Sequence, residues 1–212
     1  AGRPADAAAA CGKGGEASKE EQAIGPAGAD RAAASIKVGG YVFEPVKILN
    51  GVHRLLPQGR AHLRCWGLDV CAAVLYLPDG ARADCGEAVM DPGVAKVLEL
   101  RYLCSLSGDQ FRFTTRWSIS RNGLMCDAAE AGLREFNQLY QDVRPGDCYA
   151  LSYDPGLAEA PLASGRVTLC LNGRELGCVE GREFSKALFA VWFGPRPFLE
   201  AFKQDILSGF HL

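Results

Sequence analysis

The chain has 212 residues, of which 48% are hydrophobic and 23% are charged, and its formal net charge is −2. This is the composition of an ordinary globular protein, and the near balance of charge argues against a nucleic-acid binder that works through bulk positive charge. No apolar run reaches the roughly 18 residues that a membrane-spanning helix needs.

The first part of the chain differs in composition from the rest. Residues 1–35 contain 13 Ala and 6 Gly, and the first aromatic residue is Tyr41. Such a segment buries too little apolar surface to offset the entropy of ordering it. We therefore predict a leader with little intrinsic order over 1–38 and one domain over 39–212. The leader mixes acidic and basic residues, which fits a segment that follows an organelle-targeting peptide. We expect an organelle matrix or stroma, in a plastid or a mitochondrion.

Short apolar and alternating runs after the leader predict strands. Strands are expected at 41–49, 69–77, 96–104 and 148–153, and at 166–171 and 175–179. The run 69–77 is apolar throughout, which is typical of a strand buried on both faces. The stretch 53–63 contains Pro57 and Gly59 and is expected to be a loop or a hairpin arm. Asn172-Gly173 is a strong hairpin signal between the last two strands.

Helical periodicity dominates other parts of the chain. Helices are expected at 109–121, 127–140, 182–193 and 198–207, with a short one within 82–95. Asp109 is available to cap the first of the longer helices, and 154–165 is expected to be a loop. The order of strands, a helical pair, a hairpin and two last helices predicts an α+β fold. In such a fold, helices pack on one face of a mostly antiparallel sheet.

The cysteines do not form a metal-binding pattern. There are nine, and no C-x-x-C pair occurs, so neither a zinc site nor any other metal is expected. Several lie in apolar runs, as Cys71 and Cys170 do, and are expected to be small buried side chains in a reducing compartment. A redox role or a disulfide is the alternative. The signatures of phosphate-binding loops, dinucleotide folds and serine hydrolases do not occur, and no cofactor is expected.

Two stretches mix charged side chains with aromatic rings. The segment 53–64 carries two histidines and three arginines, and is either a solvated loop or an anion-binding edge. In the segment 111–117, helical spacing puts Phe113 and Trp117 on one face and two arginines on another. This pattern favours an amphipathic helix over a nucleic-acid contact.

A series of phrases in a fixed order resembles the chalcone isomerase-like family, especially its bacterial branch. The phrases are VLYLP (74–78), LELRY (98–102), LREFN (133–137), DVRPGD (142–147), LNGR (171–174) and the closing segment 183–197. The similarity covers about residues 42–209. It implies an open-faced β-sandwich, in which a large antiparallel sheet carries a layer of helices on one face.

The resemblance also implies where a ligand would bind. The family includes enzymes that cyclise chalcones to flavanones, plastid fatty-acid-binding proteins and members without known activity. In its ligand-binding branches the pocket lies between the sheet and the helices, and an arginine on an early strand receives the anion. Arg64 and Arg60 are the candidates for that arginine. Cys71 stands where the enzymes have a threonine and the lipid binders a tyrosine.

The positions that carry catalysis in the enzymes differ in this chain. Phe111 stands in place of a tyrosine, Thr114 in place of a lysine and Ser118 in place of an asparagine. Losing the hydroxyl and ammonium groups that stabilise enolate charge raises the barrier by several kcal/mol. The comparison argues against cyclisation, and no catalytic residue is assigned.

We therefore expect a non-catalytic binder of a fatty acid or a similar apolar anion. Phe111, Trp117, Phe136 and Tyr140 are expected to wall the cleft. The predicted ligand-binding residues are Arg64, Arg60, Cys71, Phe111, Thr114 and Trp117. One alternative is a structural or accessory subunit of a larger protein assembly, with a filled cleft and the leader 1–38 lying along a partner. The other alternative is a chalcone–flavanone isomerase. No nucleic-acid partner is expected.

Overall fold

The computed structural model describes residues 35–65, 67–81, 84–156 and 165–209. The predicted leader lies outside the described residues up to residue 34. The predicted loop over 154–165 lies outside them from 157 to 164.

The strands within the described residues follow one another in a simple meander. They are β1 (Ile36–Val38), β2 (Tyr41–Phe43), β3 (Lys47–Leu49), β4 (His53–Cys65), β5 (Leu68–Pro78), β6 (Lys96–Tyr102), β7 (Cys148–Asp154), β8 (Arg166–Leu171) and β9 (Arg174–Glu180). Strands β3 to β9 form one antiparallel sheet in sequence order, and β1 pairs with β2 in a separate hairpin. The predicted strand 41–49 is therefore two strands, which belong to different sheets.

The helices lie between and after the later strands. They are α1 (Gly86–Met90), α2 (Gly108–Arg121), α3 (Asp127–Phe136), α4 (Arg182–Phe193) and α5 (Glu200–Leu207). Helix α2 is capped by Ser107 and not by Asp109. The Ser107 hydroxyl accepts a hydrogen bond from the Gln110 amide at 3.3 Å, and the Gln110 side chain accepts one from the Ser107 amide at 2.8 Å. This reciprocal pair satisfies two backbone amides at the start of the helix.

None of the described helices is long and apolar enough to cross a membrane.

The central part of the sheet is buried on both faces, as the apolar run 69–77 predicts. We call one side the helix-covered face, where Ala73, Leu75 and Leu77 of β5 join a core that includes side chains of α2 to α5. We call the other side the hairpin-covered face, where Ala72, Val74 and Tyr76 pack with Ile36, Val38 and Phe43 of the β1–β2 hairpin. The burial of Ile36 and Val38 corrects the predicted domain boundary, because strand β1 lies inside the expected leader.

Strand β4 is the main departure from the predicted secondary structure. The stretch expected to be a loop or a hairpin arm is a strand of 13 residues paired with β5. Pro57 and Gly59 fall at a β-bulge, where Pro57 pairs with Tyr76, Gly59 pairs with Leu75 and Gln58 is the extra residue. A Cβ atom at Gly59 would overlap the carbonyl oxygen of Ile206, so helix α5 lies directly against the strand here. The glycine marks a close approach of two backbones.

The β8–β9 hairpin confirms its turn signal. Asn172 and Gly173 both have positive φ, at 53° and 80°, as a two-residue turn of this kind requires.

The cysteines agree only in part with the prediction that they are buried. Cys71 and Cys148 are buried thiols, whereas Cys85, Cys126 and Cys178 are exposed ones.

Candidate functional site

A cavity of about 760 Å³ lies between the helix-covered face of the sheet and helix α2. Its walls come from five neighbouring strands, from the segment after β6, from helices α2, α3 and α4, and from Tyr140 and Phe198 in the segments after α3 and before α5. Apolar and aromatic side chains predominate among the lining residues, which include Leu63, Leu68, Val70, Leu100, Leu106, Phe111, Phe113, Leu151, Leu169, Val191, Trp192 and Phe198. Predominantly apolar walls and a volume of this size are typical of small-molecule sites.

Helix α2 is held in place by polar contacts at its first turn. The guanidinium of Arg112 donates to the carbonyl oxygens of Asn137 at 3.1 Å and Tyr140 at 3.2 Å, after the end of α3. The Gly108 amide donates to the Asp142 carboxylate at 2.8 Å. These bonds tie the helix to the segment that precedes β7. They fix the side of α2 that carries Phe111 against the sheet.

One end of the cavity is walled by aromatic rings. The ring of Phe111 stacks on Tyr140 with centroids 5.4 Å apart, and it meets Tyr102 and Tyr149 edge-on, each at 5.4 Å. The hydroxyls of Tyr140 and Thr115 are hydrogen-bonded at 2.9 Å, so this buried polar pair is satisfied. The packing makes a rigid, largely apolar wall.

Tyr102 supplies a polar group without a partner inside this apolar site. Its hydroxyl has no hydrogen bond to any residue that the structure describes, although the side chain lines the cavity and is buried. Tyr102 pairs directly with Cys71 across β5 and β6. Burial raises the pKa of Tyr102 well above its usual value, and it raises the pKa of Cys71 to about 12. Both groups therefore remain protonated at neutral pH and can donate to a ligand.

The described lining residues include no Lys, Arg or His. The charged side chain among them is Asp109, whose carboxylate lies 2.9 Å from the Arg112 guanidinium. Among the described residues, no group of three or more His, Cys, Asp or Glu is placed to hold a metal ion. The arrangement can enclose an apolar molecule and offer hydroxyl and thiol donors to its polar end.

The predicted site residues divide into two sets. Cys71, Phe111 and Thr114 line the cavity, and so do the expected wall residues Phe136 and Tyr140. Ser118, which stands where the family's enzymes have an asparagine, is buried and is not part of the lining that the structure describes.

The two candidate arginines do not reach the cavity. Arg64 lies between the lining residues Leu63 and Cys65 on a strand, so it points to the other face, where its Nε is 2.8 Å from the carboxylate of Asp69. Arg60 pairs in register with Val74, which belongs to the hairpin-covered face. The bulge at Pro57 to Gly59 explains this placement, because one extra residue reverses the alternation of faces along β4.

Trp117 also lies outside the cavity. It is 42% exposed, and the guanidinium carbon of Arg121 lies 4.6 Å from the centre of its ring. Helix α2 turns Thr115 and Ile119 inward, so the face shared by Phe113 and Trp117 is the exposed one. The expectation that Trp117 walls the cleft is therefore wrong, whereas Phe113 lines the cavity although it is 73% exposed.

Most of the lining residues, Tyr102 among them, were not predicted by the sequence analysis, and three of these come from separate parts of the chain and are exposed. Leu68 begins β5, Phe113 is on α2 and Phe198 precedes α5, and each is substantially exposed as well as lining the cavity. We call the region around them the mouth of the cavity. Only the tertiary fold brings these positions together, so no local pattern could have identified them as a group.

Comparisons with known proteins agree with this architecture. A family model described as chalcone isomerase-like matches residues 48–208. Among solved structures, the crystal structure of an Arabidopsis thaliana fatty-acid binding protein is similar to this chain. It has a TM-score of 0.60 and 17% sequence identity, and the match covers 82% of this chain and 96% of that one. The comparison with curated protein sequences gives no match. Because the family model spans well over half of the sequence, the chain belongs to the chalcone isomerase-like family.

Proposed function

We propose that this protein binds a fatty acid, with the hydrocarbon chain enclosed in the cavity between the sheet and α2. The observation that carries the proposal is the cavity itself, with its volume of about 760 Å³ and its apolar and aromatic walls. Each methylene group removed from water contributes about 0.8 kcal/mol, so a long chain gains affinity from burial alone. The similar Arabidopsis structure, whose title names a fatty-acid binding protein, supports this choice of ligand.

The polar end of the ligand is recognised by uncharged donors. An unpaired carboxylate is costly to bury, and the described lining offers it no cation. The Tyr102 side chain is buried and lines the cavity, and its hydroxyl has no hydrogen bond to a described residue, so it is the donor best placed for this role. The carboxyl group of the ligand would then accept a hydrogen bond from the Tyr102 hydroxyl and would form no ion pair.

This reading also predicts which ligands compete. Where an arginine holds the carboxylate, replacing the acid by the alcohol of the same chain length removes a charged hydrogen bond and costs about tenfold or more in affinity. Here a neutral donor does not offset the cost of burying a carboxylate, so the alcohol should bind at least as tightly as the acid. Displacement of a fluorescent fatty acid by oleate and by oleyl alcohol measures the difference.

The proposal is tested by filling the cavity. Cys71 is buried on its floor, so Cys71→Phe places a ring inside the space that the hydrocarbon chain needs. Cys170→Phe is the matched control, because Cys170 is partly buried on β8 and does not line the cavity. We expect Cys71→Phe to weaken fatty-acid binding at least about tenfold and Cys170→Phe to leave it unchanged.

Two results would reject the proposal. One is a purified protein that carries no co-purifying lipid in mass spectrometry of an organic extract and also fails to bind the fluorescent fatty acid. The other is equal binding by Cys71→Phe and Cys170→Phe, with both variants folded by circular dichroism, because a ligand inside the cavity cannot ignore a ring placed there.

A further inference from the structure

Large apolar side chains are exposed to solvent around the mouth of the cavity. Leu68, Phe113 and Phe198 are exposed by 68%, 73% and 37% while also lining the cavity. Trp117 is 42% exposed and lies one turn after Phe113, on the same side of α2. Single exposed apolar residues are ordinary, but a contiguous group marks an interaction surface. We call these four side chains the mouth patch.

Two arginines adjoin the mouth patch without an acidic partner among the described residues. The guanidinium of Arg121 lies over the Trp117 ring at 4.6 Å, and its Nη2 donates to the carbonyl oxygen of Pro197 at 3.0 Å, next to Phe198. The exposed side chain of Arg196 lies 3.5 Å from the carbonyl oxygen of Arg121. These contacts connect the part of the patch on α2, at Trp117, with the part at Phe198. Both guanidinium groups remain available to bind an anion.

Other charges on α2 are already paired. Asp109 lies 2.9 Å from the guanidinium of Arg112, and Arg116 lies 3.3 Å from the carboxylate of Glu130. Each of these pairs contributes little net charge to the surface. The positive charge beside the mouth patch therefore comes from Arg121 and Arg196.

We propose that the mouth patch docks on the surface of an anionic phospholipid bilayer. Such a surface has phosphate groups above an apolar layer, which matches arginines placed beside exposed aromatic and aliphatic side chains. The patch surrounds the mouth, so an apolar ligand could pass between bilayer and cavity without crossing water. A protein seated on the patch would instead close the mouth. This docking goes beyond ligand binding, and either can fail without the other.

Co-sedimentation of the full chain with vesicles tests the docking. The probe is a vesicle of equal parts phosphatidylcholine and phosphatidylglycerol, compared with phosphatidylcholine alone. We expect binding to the anionic vesicle that weakens about fivefold in Arg121→Gln and about fivefold in Arg196→Gln. Arg54→Gln is the control, because Arg54 is exposed at the end of β4 that lies away from the cavity.

The apolar part of the surface is tested separately. Trp117→Ala should weaken binding to the anionic vesicle about tenfold, since the indole no longer enters the interface. Ile48→Ala is the matched control, because Ile48 is 61% exposed on β3 and belongs to no part of the mouth patch. Trp117 does not line the cavity, so displacement of a fluorescent fatty acid in solution should be the same for both variants and the wild type.

Three outcomes would overturn the docking. The first is failure to sediment with either vesicle. The second is an equal loss of vesicle binding in the mouth-patch variants and in their controls. The third is a dimer in analytical ultracentrifugation that Trp117→Ala dissociates, which would assign the patch to a second copy of the chain. In each case solution binding of the fatty acid is measured independently, so a failed docking and a failed ligand proposal give different results.

Discussion

Lys96 is a buried amine whose replacement should change how the stability of this protein depends on pH. The side chain is fully buried, its Nζ donates to the carbonyl oxygen of Asp91 at 2.7 Å, and it lies 4.9 Å from the centre of the Tyr153 ring and 5.2 Å from that of Phe189. Burial lowers the pKa of Lys96 from 10.5 to about 7, against a smaller opposing effect of the Asp91 carboxylate. The amine is therefore partly neutral in the folded protein at neutral pH.

The direction of the effect follows from proton binding. Between about pH 7 and pH 10.5 the unfolded chain holds a proton on Lys96 that the folded protein has released, so the free energy of unfolding rises with pH in this window. The slope is about 1.4 kcal/mol per pH unit above pH 7, which gives a gain of about 2 kcal/mol between pH 6 and pH 8.5. Thiols of the unfolded chain begin to ionise below pH 8.5, and this lowers the free energy of unfolding equally in wild type and in a variant that lacks Lys96.

Lys96→Met isolates this gain. Methionine keeps most of the side-chain volume and removes the titrating group, but it leaves the Asp91 carbonyl without its donor, at a cost of about 1–3 kcal/mol. We expect urea unfolding to show wild type gaining about 2 kcal/mol more than Lys96→Met between pH 6 and pH 8.5. Lys186→Met, at an exposed position on α4, should follow the wild type. Equal pH slopes for wild type and Lys96→Met would refute the reasoning, whatever their absolute stabilities.

Further predictions concern the ligand donor, the bulge and the end of α2. Tyr102→Phe should weaken fatty-acid binding, measured by displacement, about tenfold. Arg64→Ala should change the affinity less than about twofold, because that side chain lies on the opposite face and is 65% exposed. A larger loss in Arg64→Ala than in Tyr102→Phe would show that the arginine binds the carboxyl group. Gly59→Ala should lower the free energy of unfolding by about 3 kcal/mol in urea, because the new Cβ overlaps the carbonyl oxygen of Ile206. An unchanged midpoint would mean that α5 moves away easily. Asn122→Ala should cost about 2 kcal/mol in the same assay, because the amide donates to the carbonyl oxygens of residues 118 and 196 at 2.8 and 2.9 Å; a loss below about 0.5 kcal/mol would contradict this.

The elements that the sequence predicted well are those with a local cause. Asn172 and Gly173 adopt the positive φ angles that this dipeptide favours, and the hairpin forms around them. Strand β5 is apolar at successive positions, so burial on both faces follows without knowledge of its neighbours. Helix α4 has the predicted bounds, 182–193, because its apolar spacing and the glycines at 181 and 194 delimit it.

The elements that were predicted poorly depend on distant parts of the chain. Pro57 and Gly59 indicate a loop when read alone, yet β4 continues through them because β5 pairs along its whole length and α5 packs against the glycine. Helix α2 was expected to place Trp117 in the wall of the cleft. The contacts of Arg112 with the carbonyl oxygens after α3 fix a different side of the helix against the sheet. No spacing rule within α2 contains that information.

The position of the arginines shows how one residue can move a predicted site. Leu55 lies on the hairpin-covered face, so in a regular strand Arg60 and Arg64 would point to the helix-covered face, where the cavity is. The extra residue Gln58 reverses the alternation, and Ala61 and Leu63 face the helices instead. A family pattern carried over by sequence spacing alone cannot register this reversal. Under the proposed fatty-acid binding, the polar contact would then come from another strand, and Tyr102, opposite Cys71 on β6, is the lining residue that offers it.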